Sequence, residues 1–286
     1  MTFINFDYIL FFKFMKSRLL LYFSLFTSYV FTQIGYDIQP DRPGLGESSQ
    51  VLRKGFLQIE SGGNYQWDKL ESMANEPIIS QREVSFNSTF LRLGISDFCE
   101  FRLAWNIGQG FDLYKPINST NSFIEKSPVG LSPISLGFKV KVLNGGGWIP
   151  STALLGMMGI PNWASTDLVA TSFSPSILVP MEWDLADSWL LTINNGLFWD
   201  GEVIDASYFN SFGLDWMATK TIGLFVELYS NYDKANNLQP GFNGGIIWRI
   251  RENLQLDLSS GFGLLSQMSD GFINGGVSYR LNFNKK

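Results

Sequence analysis

Twelve ionisable side chains recur in this chain at one parity of an alternating pattern, each between apolar or small neighbours. The acids are Glu60, Glu100, Glu182, Asp215, Glu227 and Asp257; the bases are Arg92, Arg102, Lys139, Lys141, Arg249 and Arg280. Six against six is a chemistry of mutual neutralisation. A conduit that selects ions by sign would carry a ring of one charge, and charges in a narrow interior are costly unless paired. The set therefore reads as an internal polar network that holds a shape, or as direct contacts to a solute. A second constellation, Asp41-Arg42-Pro43, lies upstream in a segment broken by Pro40, Gly44 and Gly46. It is either an ordinary exposed turn or part of a plug that folds inward, with Asp41 and Arg42 paired to wall residues such as Glu60 or Arg280.

Other chemistries fail by inventory. The chain has no histidine and a single cysteine, Cys99, so Ser-His-Asp and Cys-His catalysis, structural zinc and an internal disulfide all lack their parts. An acid pair or a Ser-Lys device would remain for a hydrolase, and no spacing points to one. No enzyme, metal or cofactor is expected. The net charge of -5 and the lack of any basic cluster argue against nucleic acid.

The elements that must carry the twelve charges are legible from Pro240 to Phe283. Phe242, Ile246, Trp248 and Ile250, then Leu254, Leu256 and Leu258, then Ile273, Val277, Tyr279, Leu281 and Phe283 are apolar at every second position. Between them stand Asn243, Arg249, Gln255, Asp257, Ser259, Asn274, Ser278 and Arg280. Period two over about ten residues marks strands with one apolar and one polar face. Full-size aromatics on one face and charges on the other fit a closed antiparallel transmembrane β-barrel, apolar outside and hydrated inside. Charged residues are 16 % and aromatics 15 %, and an outer wall poor in charge agrees with that.

In order, strands are expected at about 55–67, 83–95, 100–108, 133–143, 149–160, 172–184, 188–199, 207–217, 221–232 and then three more to 283, giving an all-β fold of about twelve, with ten or fourteen as alternatives. The second slips phase at Phe90-Leu91, through a bulge or inward aromatics, and the fifth is apolar on both parities. Short connections (96–99, 185–187, 218–220, 251–253) separate longer ones (68–79, 109–131, 233–239), as short periplasmic turns and long external loops do. Seven tryptophans, at 67, 105, 183, 189, 199, 216 and 248, fall mostly near strand ends, where interfacial girdles sit. Upstream, Met15-Lys16-Ser17-Arg18 precedes an uncharged run from Leu19 to Phe31, the layout of a signal peptide. The expected division is 1–32 signal peptide with an upstream extension, 33–53 irregular segment and possible plug, and 54–286 barrel.

Asp41-Arg42-Pro43, Lys54-Gly55-Phe56-Leu57-Gln58-Ile59-Glu60-Ser61-Gly62, Leu91-Arg92-Leu93-Gly94-Ile95-Ser96-Asp97, Pro133-Ile134-Ser135-Leu136-Gly137-Phe138-Lys139, Gly223-Leu224-Phe225-Val226-Glu227 and the run from Leu254 to Gly261 occur in this order. Together they resemble a family of bacterial outer-membrane proteins labelled for phenol meta-pathway degradation or simply as transporters. The resemblance implies a Gram-negative outer-membrane barrel, Bacteroidetes-like in origin, with a role in solute passage; it carries no catalytic residues. The expectation is a passive transporter or channel for small, apolar or aromatic solutes, with a non-conducting structural or surface-binding barrel as the alternative. The partners expected are the lipid bilayer, an unidentified small solute and the barrel assembly machinery, whose terminal signal Tyr279, Leu281 and Phe283 resemble.

Overall fold

The alternation sorts side chains between two solvents, and a wall with one apolar and one polar face must curl until its polar face is enclosed. In the computed structural model, which describes residues 38–68, 78–114, 123–126, 129–234, 237–265 and 270–284, it does so completely. The expected signal peptide, 1–32, lies outside the described residues, as do 33–37. The described strands are β1 (Phe56–Asp68), β2 (Ile78–Ser96), β3 (Cys99–Tyr114), β4 (Phe123–Lys126), β5 (Gly130–Leu131), β6 (Ser135–Leu143), β7 (Ser151–Gly159), β8 (Ser174–Ala186), β9 (Trp189–Phe198), β10 (Ser207–Met217), β11 (Ile222–Asp233), β12 (Asn237–Arg251), β13 (Leu254–Gly263) and β14 (Gly271–Asn282).

Twelve of these form a closed antiparallel ring, β1-β2-β3-β6-β7-β8-β9-β10-β11-β12-β13-β14 and back to β1. The seam is an unbroken register from Phe56 opposite Asn282 to Trp67 opposite Gly271. The short β4 and β5 pair with the long-loop half of β3. They correct the expectation of a long polar loop over 109–131: β3 runs on to Tyr114, and residues 111–114 pair with β4.

Burial is inverted relative to a water-soluble domain. The largest fully buried side chains include Arg92, Arg102, Lys139, Gln58, Glu60 and Glu100, while Phe138, Ile177, Phe212, Leu228, Leu258 and Ile273 are exposed on the outer wall. An outer wall of that composition is stable only against hydrocarbon. Trp189 stacks on Trp216 with ring centroids 5.6 Å apart at the short-turn end, a girdle position. Trp105 does not join it; it lies mid-strand and donates its Nε1 hydrogen to Asn87 at 3.1 Å.

At Phe90-Leu91 the phase slip of β2 is an inward aromatic, and the irregularity of register lies upstream of it. Register shifts occur at Gly62/Asn64 against β1 and at Ser85/Asn87 against β3. Phe90, opposite Glu60 and Ala104, takes the inward parity.

Candidate functional site

The lower lumen, at the short-turn end, is occupied by the described part of the N-terminal segment, 38–53. Proline and glycine keep that segment out of the sheet, so its backbone groups need partners from the wall. Its anchor is Asp41. The Asp41 carboxylate pairs with Arg92 at 3.0 Å, with Lys139 at 3.0 Å and with Arg102. Glu47 adds Arg102 at 2.6 Å and Lys139 at 3.3 Å. These cations come from β2, β3 and β6, and Arg92 stands directly opposite Arg102 in the register. Like charges facing across a strand pair are destabilising; here Glu60, Glu100, Asp41 and Glu47 are interleaved between them. Arg92 bonds Glu60 at 3.0 Å and Glu100 at 2.9 Å, and Arg102 bonds Glu100 at 2.7 Å. Of the nine lumen ion pairs among the described residues, six involve the segment and three join wall to wall.

Burial alone would push both segment carboxyls up. Asp41 is nevertheless held well below the usual carboxylate range by the cations of Arg102, Arg92 and Lys139. Glu47 is pushed up by its burial and by the Asp41 charge beside it, against the pull of Arg102 and Lys139. Of two facing carboxyls, the one with more cations beside it is the one shifted down.

The opposite wall offers acids and receives donors. Glu227 accepts from the backbone N–H of Leu45 and of Gly46, each at 2.8 Å, and from Asn243 at 2.8 Å. Asn194 accepts from the Glu47 amide at 3.1 Å. Arg42 reaches Asp257 at 3.1 Å and Asn274 at 2.7 Å. Its guanidinium lies over Gly62 and Gly276, directly opposed residues at the β1–β14 seam; a Cβ at either would come within 2.4 Å of it. Two glycines thus form the slot that admits Arg42. On β8, Glu182 takes Ser49 at 2.5 Å and Gln50 at 2.9 Å. The backbone amides of Asp41 and Arg42 both donate to Glu60, and the Arg42–Pro43 peptide is cis.

The structure brings Glu60, Arg92, Glu100, Arg102 and Lys139 into one network with Asp41. It places Lys141 within 3.3 Å of the Gln50 carboxamide oxygen. It holds Glu182, Glu227 and Asp257 as separate receptors for the segment. Asp215 and Arg249 lie half-buried on β10 and β12. Arg280 donates to the Glu252 carbonyl at 3.1 Å and lies over the Phe56 ring at 5.3 Å. So the partners of the Asp41 side chain are Arg92, Arg102 and Lys139 in place of the anticipated Arg280, and those of the Arg42 side chain are Asp257 and Asn274 in place of the anticipated Glu60, which takes the two backbone amides. The parity that picked out the charges also contains the neutral partners Gln58, Asn194, Asn243, Gln255 and Asn274, which a search for charge passes over.

Toward the long loops the lumen changes character. Leu155, Leu178, Phe209, Tyr229 and Phe272, on β7, β8, β10, β11 and β14, form a buried cluster with Met157 packed on it. Their register partners confirm the inward face: Leu155 stands opposite Lys139, and Tyr229 opposite Ser211. Four inward rings face a glycine across the ladder, Tyr229 with Gly241, Phe225 with Gly245, Phe272 with Gly261 and Phe209 with Gly196. At Gly241 a Cβ would lie 2.2 Å from the Tyr229 ring, so the missing side chain lets that ring lie along the wall.

The lumen therefore has a charged, filled lower part and, above and beside it, an apolar patch on β7, β8, β10, β11 and β14, while β2 and β3 carry the hydrogen-bonded pair Ser85 and Asn106. Residues 40–281 match the model of the family described as "Putative MetA-pathway of phenol degradation". The chain belongs to this family. No curated protein matches it. Among solved structures, an outer-membrane channel from Pseudomonas putida F1 superposes with a TM-score of 0.58 at 11 % identity, over 88 % of this chain and 100 % of that one. That superposition supports a shared fold, the closed antiparallel β-barrel of an outer-membrane protein. The transport unit of the autotransporter AIDA-I from Escherichia coli gives 0.48 at 10 % identity, over 80 % of this chain and 90 % of that one. A mutant of the monoaromatic hydrocarbon channel TodX gives 0.42 at 11 %, over 81 % and 91 %. These two superpose too loosely to add to the argument.

Proposed function

We propose that this family member is a passive outer-membrane channel for small apolar solutes, aromatic ones included, held closed by residues 38–53. The observation that carries the reading is the apolar cluster of Leu155, Leu178, Phe209, Tyr229 and Phe272 on the lumen wall. An apolar solute is stabilised by about 25 cal/mol for each Å² it buries against such a surface. The lower part of the lumen supplies the gate: a segment held by six ion pairs blocks the short-turn exit until it shifts. The family's description, with its reference to phenol, agrees with such a solute. In this reading nine of the twelve wall charges, Glu60, Arg92, Glu100, Arg102, Lys139, Lys141, Glu182, Glu227 and Asp257, seat the gate, export depends on a signal peptide in 1–32, and Tyr279, Leu281 and Phe283 present the barrel to its assembly machinery.

The same ion pairs favour a second reading, a barrel that conducts nothing and serves as a structural or surface-binding protein. Proteoliposomes decide between them. Toluene or phenol entering protein-containing vesicles faster than empty ones, with glucose and potassium excluded, is the expected result. Equal entry in both would leave the second reading.

A further inference from the structure

The outer wall meets hydrocarbon, yet one place on it is polar. On β1, β2 and β3 the outward parity that carries Leu57, Leu93 and Leu103 also carries Ser61, Asn87, Thr89 and Trp105. These four side chains are joined, and the joints have a direction. The indole Nε1 of Trp105 can only donate, so the Asn87 atom 3.1 Å from it is the carboxamide oxygen. That oxygen also receives Thr89 Oγ1 at 2.7 Å, so the Thr89 hydroxyl hydrogen is spent there and Thr89 accepts from Ser61 at 2.8 Å. The donors of Ser61, Thr89 and Trp105 are thus all used within the group. The Asn87 Nδ2 keeps two hydrogens and has no partner among the described residues.

This donor is within reach of a lipid. Asn87 is half-buried and its Nδ2 is open to the outer face. β2 bulges here, setting Phe86 and Asn87 against Gly63 of β1. Only the backbone oxygens of Ser85 and Phe86 lie within 4 Å of where a Gly63 Cβ would stand, so no side chain fills the space and the wall has a notch. Nine residues up from Ser96, at about 3.3 Å each along strands tilted about 40°, place Asn87 about 23 Å above the short-turn end, near the top of an apolar band about 25 Å tall. Tyr65 and Trp67, with ring centroids 5.8 Å apart, stand one and two outward positions above Gly63 on β1 and mark the interface. At that level a membrane presents the carbonyls that join acyl chains to headgroups. An unpaired donor facing hydrocarbon is costly; one of these carbonyls satisfies it.

We propose that the notch at Gly63 and Asn87 is a lipid site of the long-loop leaflet, in which an acyl chain lies against Gly63 and its ester carbonyl accepts from Asn87 Nδ2. An interfacial tryptophan ordinarily turns its own N–H toward the wet side; Trp105 gives that hydrogen to Asn87, and the amide takes over the role. The site requires that the outer wall lie in a bilayer and stands apart from what crosses the lumen.

The test compares two bilayers that differ only in that carbonyl: phosphatidylcholine with ester-linked chains and its ether-linked counterpart. The full chain, labelled at its asparagines with nitrogen-15, is placed in nanodiscs of each, and the Asn87 amide is assigned by its loss in Asn87→Ser. A hydrogen-bonded amide proton resonates downfield, so the Asn87 signal should move upfield in the ether lipid while those of the lumen residues Asn194 and Asn243 stay in place. Urea titration in vesicles gives a second measurement. Wild-type folding should weaken about tenfold from ester to ether lipid, about 1.4 kcal/mol, once the change seen in Asn87→Ala with Trp105→Phe is divided out. The second substitution keeps the indole from replacing the amide. If that double variant does not fold, the resonance comparison on wild-type protein decides. The same Asn87 signal in both lipids overturns the proposal, because the donor then meets water or nothing. A signal that follows the protein-to-lipid ratio and ignores the ester also overturns it, and assigns the notch to a second copy of this chain.

Discussion

Replacing Asp41 by Asn should loosen the lumen segment while leaving the barrel intact. The change keeps the shape and one oxygen acceptor but removes the charge that Arg92, Lys139 and Arg102 share. Deleting one partner of a buried pair costs about 3–5 kcal/mol. Here the cations keep company: Arg92 retains Glu60 and Glu100, Arg102 retains Glu100 and Glu47, and Lys139 retains Glu47. The lower bound, about 3 kcal/mol, is therefore the appropriate figure, and at about 1.4 kcal/mol per decade it shifts seated against released segment about a hundredfold. The amides of Leu45 and Gly46, bonded to Glu227 on the opposite wall, report the release. Hydrogen exchange there should accelerate by about the same factor, while exchange in β10–β12 stays as in wild type. Unchanged exchange at Leu45 and Gly46 in a folded Asp41→Asn protein would refute the claim that Asp41 seats the segment. Acceleration in β10–β12 as well would show that the aspartate supports the whole barrel.

Leu258→Arg, on the outer face near the middle of β13, should cost folding into bilayers about 2–4 kcal/mol by urea titration; neighbouring Asp257→Asn should show no such insertion penalty and should instead free Arg42. Gly241→Ala should force the Tyr229 ring off the wall, with overpacking of about 1–3 kcal/mol, and slow toluene entry into vesicles; Tyr229→Ala in the same chain should restore both, and absence of rescue would count against the ring–glycine account. Glu47 gives the pH signature. Its carboxyl is raised in the seated state, so its contribution is present below the ordinary glutamate value of about 4.3 and is lost as pH rises through the higher seated value. Exchange at Leu45 should therefore quicken across that window, and Glu47→Gln should flatten the dependence. Asp41 has the opposite sign, and its lowered value places its loss at strongly acidic pH, outside that window.

Much of this architecture can be read from spacing. β13 illustrates why: Leu254, Leu256 and Leu258 alternate with Gln255, Asp257 and Ser259, and hydrocarbon outside with charge inside leaves one solution. The Asp41-Arg42-Pro43 segment was narrowed to two options, because its prolines and glycines exclude regular structure while its charges demand partners; the identity of those partners depends on where strands far apart in sequence meet. The upper lumen was invisible for a physical reason. Phe209, Tyr229 and Phe272 occupy inward positions, where alternation leads one to expect polar groups, and β7 reads as apolar on both parities because Ala153, Leu155 and Met157 face in while Leu154 and Met158 face out. A rule that equates inward with polar misses an apolar patch on one side of the interior.

The seam between the first and last strands constrains how this molecule comes into being. Residues 38–53 run directly into β1, and β1 pairs from Phe56 to Trp67 with β14, more than 200 residues further along the chain. Arg42 lies in a slot whose two glycine walls belong one to each side of that seam, so its resting place does not exist until the cylinder is sealed. Maturation of the tail's berth and closure of the wall are thus a single event, and a lesion at Gly62 or Gly276 should appear first as slow biogenesis, before any defect in permeation is measured.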